Sequence, residues 1–550
     1  MKKYNLCIYG AVLILLNSLC TAQNGILDSL EFNRLKGYKS LSEAFKSPLD
    51  VIRLDLKDSK LSILPDSIDK FKNLKYLDLR WNELAFLPNS IGNLSNLVTL
   101  DLGYNHLKTL PESIGNLKKL VSLEIGDNKL VAIPKTIGEL ENLRTLDLIK
   151  NLLIELPASI GNLKNLHTLD LSVNPMLNIK SAIEKISRLN ELNTLNLRSN
   201  SIFELPENIG TMINLKSLYI SDNNIKSLPS AIGDLRNLQD LDLSSNQLSV
   251  LPESIGKLSN LVELNLHSNN LKALPNSFSK LSNLHTLAIG DNIELNLNEV
   301  FNIISKIHSL QELDLYSNDL TTLPESIGKL KGLHTLVLDF NQIQKLPSSI
   351  KELKGLHTLG LSGNPNINLD DTFIKLKSLP NLNSLVLGFN QLTSLPLSIA
   401  LLDNIKSISL NDNMLTTLPE EFGNLYNLEE LKLSRNQINY LPNSIGNLRR
   451  LKTMDLSWNK LASLPESMKK LQNLETLDLM RNSLTRVPDG IGDLKSLKSL
   501  VLMKNDLKEI PEALGRLRNL QSLVLTDSDF TPAEKKKIES FLLPGRVFWW

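Results

Sequence analysis

The sequence predicts an α/β solenoid in which one short unit is repeated along most of the chain, with a parallel β-sheet on one side. The segment LKYLDLRWNELAFLP, which starts at Leu74, returns as LVTLDLGYNHLKTLP from Leu97 and as LVELNLHSNNLKALP from Leu261. Each copy contains L-x-x-L-x-L-x-x-N-x-L, and successive copies are mostly 23 residues apart. One unit cannot bury its leucines alone, so neighbouring units must stack to form a common core.

Within each unit, two leucines separated by one residue predict a short β-strand. On a strand these leucines point the same way, into the core, while the residue between them faces solvent. The asparagine follows where the chain turns inward, and its amide can both donate to and accept from turn backbone groups. Proline near the end of the unit ends regular pairing. Ile-Gly, as at Ile91-Gly92, then leads into the next unit.

The turn asparagine sets the register of the array. It occurs 19 times, at Asn82, Asn105, Asn128, Asn151, Asn174, Asn200, Asn223, Asn246, Asn269, Asn292, Asn318, Asn341, Asn364, Asn390, Asn413, Asn436, Asn459, Asn482 and Asn505. Ser59 and Ser528 extend the same step once at each end. The array is therefore predicted to have about 21 turns, which span residues 51–528.

Three steps are 26 residues long instead of 23, namely those that start at Asn174, Asn292 and Asn364. Their outer segments lack L-P-x-x-I-G, and their apolar residues recur at helical spacing. These apolar residues are Ile179, Ile183 and Ile186, then Val300, Ile304 and Ile307, then Phe373 and Leu376. The sequence thus predicts three outer helices, which either thicken the wall of the solenoid or border a binding region.

The N-terminus has the features of a secretory signal peptide over residues 1–22. Two lysines precede an apolar run, and small residues stand at −3 and −1 of a cleavage site after Ala22. An uncleaved anchor and a lipid-modified Cys20 are the alternatives. Cleavage would remove both cysteines, Cys7 and Cys20, so the mature chain would have neither a disulfide nor a membrane span. A secreted or bacterial envelope location follows.

Segments at both ends are predicted to cap the array, residues 23–50 before it and residues 529–550 after it. A short helix is expected between Tyr38 and Val51 in the first cap. In the second, Thr531 begins a capping box with proline at the first helical position, and residues 546–550 are expected to add an edge strand. We interpret the two C-terminal tryptophans as a cover for the last leucines, since exposed repeat ends need one.

Composition and missing motifs exclude several classes of function. The formal net charge is +1, from 60 basic and 59 acidic residues, and no basic tract offers a footprint for nucleic acid. The chain has no nucleotide-binding loop, no G-x-S-x-G elbow and no C-x-x-C pair. Only His334 and His357 share a column on adjacent turns, and a third ligand is missing. We therefore expect no enzymatic activity, no cofactor and no metal site.

The residue between the paired leucines is acidic in the first six predicted turns. These residues are Asp55, Asp78, Asp101, Glu124, Asp147 and Asp170. On a sheet they would form a column of like charges about 5 Å apart, which repel one another. A solvated polar face is the ordinary interpretation, and a site for calcium or a basic peptide is the alternative. Lys57 and Arg80, in the next column, would partly neutralise these charges.

Aromatic residues on the sheet face provide the candidate binding residues, because binding hot spots favour Trp, Tyr and Arg. The first candidate is a slot with two phenylalanine walls roughly 10 Å apart over a glycine floor. Its residues are Tyr316, Phe340, Gly360, Ser362, Gly363 and Phe389. A second candidate is Trp81 and Tyr104, which share a column beside Arg80. The third cluster consists of Trp458, Met480, Arg481 and Met503.

The repeat LxxLxLxxNxLxxLPxxIGxLxNL resembles the typical leucine-rich repeats of Ras-pathway scaffold proteins, plant disease-resistance proteins and many bacterial proteins. The resemblance covers about residues 51–528. It implies a right-handed horseshoe with the parallel sheet on its concave face, where protein ligands bind. The MKK start, the Ala-Gln end of the signal and the cysteine-free mature chain look bacterial.

Together these observations predict a non-catalytic protein-interaction module that is exported and binds an unidentified protein ligand on its concave face. A glycan-binding protein or cell-surface adhesin is the main alternative, because aromatic residues and carboxylates on the sheet face would also serve it. A hydrolase that uses the carboxylate column as paired acid and base is the remote alternative. The regularity of that column argues against one specialised pair.

Overall fold

The structure, a computed structural model, describes residues 37–542 and 544–550. The predicted signal peptide over residues 1–22 and both cysteines lie outside the described residues. The chain forms two compact units, one that ends at Asn265 and one that starts at Leu266. Within the described ranges, no helix combines the length and the apolar character needed to cross a membrane.

The described part of the first unit is built on parallel strands, each paired with the next. They are β1 (Gly37–Tyr38), β2 (Arg53–Asp55), β3 (Tyr76–Asp78), β4 (Thr99–Asp101), β5 (Ser122–Glu124), β6 (Thr145–Asp147), β7 (Thr168–Asp170), β8 (Thr194–Asn196), β9 (Ser217–Tyr219), β10 (Asp240–Asp242) and β11 (Glu263–Asn265). The pairing aligns equivalent repeat positions, with Leu77 opposite Leu100 and Asp78 opposite Asp101.

The second unit repeats this arrangement. Its strands are β12 (Thr286–Ala288), β13 (Glu312–Asp314), β14 (Thr335–Val337), β15 (Thr358–Gly360), β16 (Ser384–Val386), β17 (Ser407–Ser409), β18 (Glu430–Lys432), β19 (Thr453–Asp455), β20 (Thr476–Asp478), β21 (Ser499–Val501), β22 (Ser522–Leu525) and β23 (Val547–Trp549). Leu336, Leu359 and Leu385 are aligned across β14, β15 and β16. The predicted α/β repeat solenoid with a parallel sheet is confirmed.

The three long outer segments are helical, as predicted. The α-helices of the described chain are α1 (Leu41–Ala44), α2 (Ile179–Ile186), α3 (Leu297–Ile304), α4 (Leu369–Leu376) and α5 (Pro532–Phe541). Helices α2, α3 and α4 each start after an asparagine whose side chain accepts a hydrogen bond from the backbone N–H three residues on. Such caps stabilise a helix by about 1 kcal/mol. Their apolar faces are buried, and Phe373 of α4 is completely covered.

The remaining outer segments are short 3-10 helices, and the five-residue ones follow the proline of the repeat. They are Pro48–Asp50, Asp66–Lys70, Asn89–Asn93, Glu112–Asn116, Lys135–Glu139, Ala158–Asn162, Glu207–Thr211, Ser230–Asp234, Glu253–Lys257, Asn276–Lys280, Glu325–Lys329, Ser348–Glu352, Leu397–Leu401, Glu420–Asn424, Asn443–Asn447, Glu466–Lys470, Asp489–Asp493, Glu512–Arg516 and Asp527–Asp529. Neighbouring 3-10 helices pack closely. A Cβ atom on Gly115 would lie 2.7 Å from the Cβ of Thr136, so this position needs glycine.

The turn asparagines hold successive turns together. All 19 are buried. Asn105 is typical: its Nδ2 donates to the carbonyls of Leu79 at 2.9 Å, Leu102 at 3.0 Å and Gly103 at 3.2 Å. Its Oδ1 accepts from the backbone N–H of Leu84 at 3.0 Å. The predicted double role of this amide, as donor and acceptor, is therefore confirmed.

The two ends differ in detail from the expected elements. Helix α1 stops at Ala44, so it is shorter than the segment expected between Tyr38 and Val51. At the other end, β23 pairs with β22 as the expected edge strand. Trp549 packs against Phe530 with ring centroids 5.8 Å apart, whereas Trp550 is 75% exposed. The assignment of these segments as caps stays a prediction.

Candidate functional site

The residue immediately before each turn asparagine forms what we call the pre-asparagine column. Its non-glycine members have φ between 53° and 59°, a left-handed conformation that is uncommon for residues with a side chain. Backbone bonds to the next turn hold it, as from the N–H of Trp81 to the carbonyl of Gly103 at 3.1 Å. The column therefore carries side chains of many kinds on one backbone geometry.

Three candidate residues of the second unit form a ring cluster, defined as Tyr316, Phe340 and Phe389. The centroids of Tyr316 and Phe340 are 5.2 Å apart, and those of Phe340 and Phe389 are 5.7 Å apart. Each ring is half-buried. His267 extends the cluster, with its ring centroid 5.6 Å from that of Tyr316. Sequence reasoning missed His267, although it precedes a turn asparagine by two residues, as Tyr316 does.

The predicted slot between the two phenylalanines is wrong. Their rings are 5.7 Å apart and tilted by 41°, not separated by the expected gap. Gly363 lies between them in the pre-asparagine column with φ of 64°, and a Cβ there would lie 2.8 Å from the Phe340 ring. Because Gly363 has no side chain, the two rings close over it. Their surface is a continuous apolar patch.

The expected exposed floor is also wrong. Gly360 is buried and Ser362 is only 6% exposed. The Asp339 carboxylate occupies the space above Gly360 and accepts a hydrogen bond from the Ser362 N–H at 2.6 Å. Burial raises the pKa of Asp339 to about 6, although the bond from Ser362 opposes the shift. The sequence could not show that Asp339 bends over its neighbour, since this depends on its rotamer.

In the first unit, Trp81 and Tyr104 stack face to face. Their centroids are 3.9 Å apart with an interplanar angle of 6°, and they are 50% and 45% exposed. Beside them, Arg80 forms ion pairs with Asp78 at 2.6 Å and with Asp101 at 2.8 Å. The pKa of Asp78 is lowered: burial would raise it, but the hydrogen bonds and charge of Arg80 outweigh burial. The structure therefore stacks Trp81 on Tyr104, while the side chain of Arg80, the residue before Trp81, pairs with the acidic column.

The acidic column lies in register across β2 to β7, as the repeat predicts. Burial and the charge of Glu124 raise the pKa of Asp101 to about 8. Burial and the charge of Asp170 raise the pKa of Asp147 to about 7. Burial and repulsion within the column therefore disfavour the charged forms of these two carboxyl groups. In the described parts of the chain, no three histidine, cysteine or acidic residues converge as a metal site.

The third cluster differs from the predicted set. Trp458 contacts two guanidinium groups: the Cζ atom of Arg481 lies 3.8 Å from the ring centroid, and that of Arg435 lies 4.8 Å from it. Met480 and Met503 are half-buried beside them. Arg435 was missed, although its position 23 residues before Trp458 places it in the same column. The repeat period alone could have identified it.

The predicted histidine neighbours also meet. His334 and His357 lie on adjacent turns with ring centroids 5.1 Å apart in an edge-to-face arrangement. His334 and His357 stand directly before β14 and β15, at the start of the strands. The ring-cluster residues instead follow the ends of their strands. Aromatic rings prefer this edge-to-face geometry, so ring packing accounts for the contact between the two histidines.

Family profiles match most of the chain. The profile described as leucine-rich repeat region matches residues 39–151, 232–319, 297–396, 393–483 and 420–543. A second profile, described as leucine rich repeat, matches residues 190–248. The comparison with curated proteins finds no match.

Several solved structures are similar to this chain. A leucine-rich repeat protein of Leptospira interrogans is 32% identical, with 93% of this chain and 99% of that chain covered and a TM-score of 0.44. The Arabidopsis receptor kinase HAESA, in complex with the peptide hormone IDA and the co-receptor SERK1, is 27% identical over 86% of both chains, with a TM-score of 0.50. The plant peptide hormone receptor RGFR1, in complex with RGF2, is 28% identical over 90% of this chain and 86% of that chain, with a TM-score of 0.47.

Proposed function

We propose, since this chain belongs to the leucine-rich repeat family, that it is an exported, non-catalytic module that binds a protein ligand on the solvent face of its sheet. Export would follow cleavage after Ala22. The array over residues 51–528 would form the binding scaffold, flanked by caps over residues 23–50 and 529–550. No cofactor is needed for this function, because affinity would come from side-chain contacts alone.

The ring cluster carries the proposal. Tyr316, Phe340 and Phe389 are only half-buried although each touches another ring. Aromatic side chains with a remaining exposed face are frequent anchors in protein interfaces. The HAESA complex, from the same family, binds a peptide hormone. We assign Gly360, Ser362 and Gly363 a supporting role, because their small size lets the rings and Asp339 pack over them.

Affinity capture tests this proposal, with residues 23–550 as bait and envelope and culture-supernatant extracts as prey. A second bait carries Phe340→Ala and Phe389→Ala, which remove two rings. A matched control carries Tyr426→Ala and Tyr440→Ala, two tyrosines of the same unit that are each 57% exposed but lie outside the strands. We expect a protein retained by the native and control baits and lost with the ring variant.

Equal retention by all three baits would contradict the assignment to the ring cluster. The surface of Trp81, Tyr104 and Arg80 would then be the next to test. No retained protein at all would contradict the protein-ligand proposal itself and favour the second candidate function.

That second candidate is glycan binding, which the Trp81–Tyr104 stack favours. Two parallel rings that are about half exposed provide an apolar face with a polar edge, and the carboxylates of Asp78 and Asp101 lie beside Arg80. Binding that persists on protease-treated surfaces, disappears after glycan oxidation and is weakened by Trp81→Ala would support it. Loss of binding after protease treatment would reject it.

A further inference from the structure

Three neighbouring turns of the second unit carry an arginine–tryptophan ladder, defined as Arg435, Trp458 and Arg481. The two guanidinium groups lie 4.8 Å and 3.8 Å from the Trp458 ring centroid. All three residues belong to the pre-asparagine column, and Lys504 occupies the same position on the next turn. Because the backbone fixes the column, strand spacing sets the distance between successive side chains at about 4.8 Å.

The guanidinium groups of the ladder are poorly neutralised by the protein. Arg481 has no ion pair in the described ranges, and Arg435 has one long contact, 3.9 Å to Asp412. The carboxylates of Asp455 and Asp478, on the same turns, accept hydrogen bonds from backbone N–H groups of their own turns at 3.0 Å and 2.9 Å. The ladder therefore presents positive charge whose hydrogen-bond donors are available to a ligand.

We propose that this ladder binds an acidic, extended segment of a protein partner, with side-chain carboxylates placed against the edges of the two guanidinium groups. A guanidinium that lies on an indole ring keeps its planar N–H fork free for a bidentate carboxylate. The site goes beyond the proposed function, because it is a different surface from the ring cluster. It would also select acidic ligands, whereas the ring cluster presents an apolar surface.

The spacing of the ladder predicts the form of the segment. Two strand spacings, roughly 10 Å, separate the backbones of Arg435 and Arg481. Because both guanidinium groups lie against the Trp458 ring, their Cζ atoms are at most about 9 Å apart. A polyproline II segment rises about 3.1 Å per residue with three residues per turn, so carboxylates at i and i+3 lie on one face about 9 Å apart. In a β-strand, same-face carboxylates at i and i+2 are only about 7 Å apart. Acidic residues three apart in an extended, proline-rich segment therefore fit best.

Calorimetric titration of the purified chain with synthetic peptides tests the proposal. The probe is a Glu-Pro-Pro repeat with three glutamates, and the same peptide with glutamines is its control. We expect only the glutamate peptide to bind, and a peptide with glutamates at every second position to bind more weakly. Each guanidinium lost in Arg435→Gln or Arg481→Gln should lower the affinity about tenfold or more.

Two further variants separate recognition from simple attraction. Arg481→Lys keeps the charge but loses the planar fork, and we expect it to weaken binding as well. Arg449→Gln removes the same charge from an exposed position just after a 3-10 helix of the same unit and should leave binding unchanged. Unaltered circular dichroism and melting temperature for each variant confirm that only the surface has changed.

Several results would overturn the proposal. Equal affinity for the glutamate and glutamine peptides, or no binding of either, would show that carboxylates are not recognised. Affinity that is unaffected by the ladder variants would place the peptide elsewhere. Tighter binding of heparin or a single-stranded oligonucleotide through the same arginines would assign the ladder to another class of polyanion. None of these results depends on the ring cluster, so the two proposals fail or succeed separately.

Discussion

Replacement of Asn105 by alanine tests how successive turns are held together, because each contact of its amide can be followed. The three carbonyls that accept from Asn105 all keep a second donor in the variant. Asn82 donates to the carbonyl of Leu79 at 2.9 Å, and Asn128 donates to that of Leu102 at 3.0 Å. The Gly103 carbonyl keeps its bond from a backbone N–H. None of the three carbonyls is therefore left without a partner.

The backbone N–H of Leu84 is different, because its acceptor is Asn105 Oδ1 at 3.0 Å and this bond is buried. A buried donor left without a partner costs about 1–3 kcal/mol. The hydrogen bonds that disappear and the small void add about 1 kcal/mol more. We expect Asn105→Ala to lower the free energy of unfolding by about 3 kcal/mol, and the amide proton of Leu84 to exchange faster.

Urea unfolding followed by circular dichroism measures this loss, with Asn96→Ala as the matched control. Asn96 is half-buried; its hydrogen bonds to the carbonyl of Lys72 at 2.8 Å and from Lys119 at 2.7 Å are both exposed to solvent, so its loss should cost less than about 1 kcal/mol. Asn105→Asp keeps the acceptor for Leu84 but turns a carboxylate toward three carbonyls, so it should be less stable at pH 8 than at pH 4. Equal losses for Asn105→Ala and Asn96→Ala would refute the reasoning.

Three other predictions concern pH, packing and the ring cluster. Asp147 has a raised pKa of about 7 in the folded protein. Its contribution to stability is therefore complete below about pH 4 and is lost as the pH rises through 7. Asp147→Asn should raise the melting temperature at pH 9 and leave it nearly unchanged at pH 4. Phe373→Ala should lower the free energy of unfolding by about 3–5 kcal/mol, since the ring is fully buried, whereas Phe203→Ala, at 70% exposure, should change it by about 0.5 kcal/mol or less in the same urea titration. Gly363→Ala should cost about 1–2 kcal/mol, because φ is 64° there, and should shift the near-ultraviolet circular dichroism by displacing Phe340; an unchanged spectrum would contradict this.

The fold could be predicted from the sequence because its determinants are local and repeated. Leucine spacing fixes which strand face is buried, and the asparagine fixes where each strand ends. The three outer helices followed from the periodicity of residues such as Ile183 and Ile304. The asparagine caps of α2, α3 and α4 were not anticipated, although Asn178 and its equivalents stand directly before the helical pattern.

The geometry of the candidate site could not be predicted to the same extent. The repeat shows which residues are neighbours, but not how their side chains lean. The sequence places Gly363 in the floor of an open slot, yet the missing Cβ lets Phe340 and Phe389 meet. Likewise, Asp339 covers Gly360 because no side chain excludes it. Both outcomes depend on side-chain rotamers and on the space left by glycines without a side chain. The pattern of residue types in the repeat does not specify those rotamers.

The left-handed backbone of the pre-asparagine column has a consequence for how the protein can change. At each turn a residue with a Cβ adopts this conformation at some cost, which backbone bonds to the next turn help to offset. Tryptophan, phenylalanine, arginine, serine and aspartate all occur there without altering the path of the chain. A single substitution in this column therefore changes the side chain that a turn exposes and leaves the backbone of the repeat unchanged. Ligand preference in such a protein can diversify turn by turn.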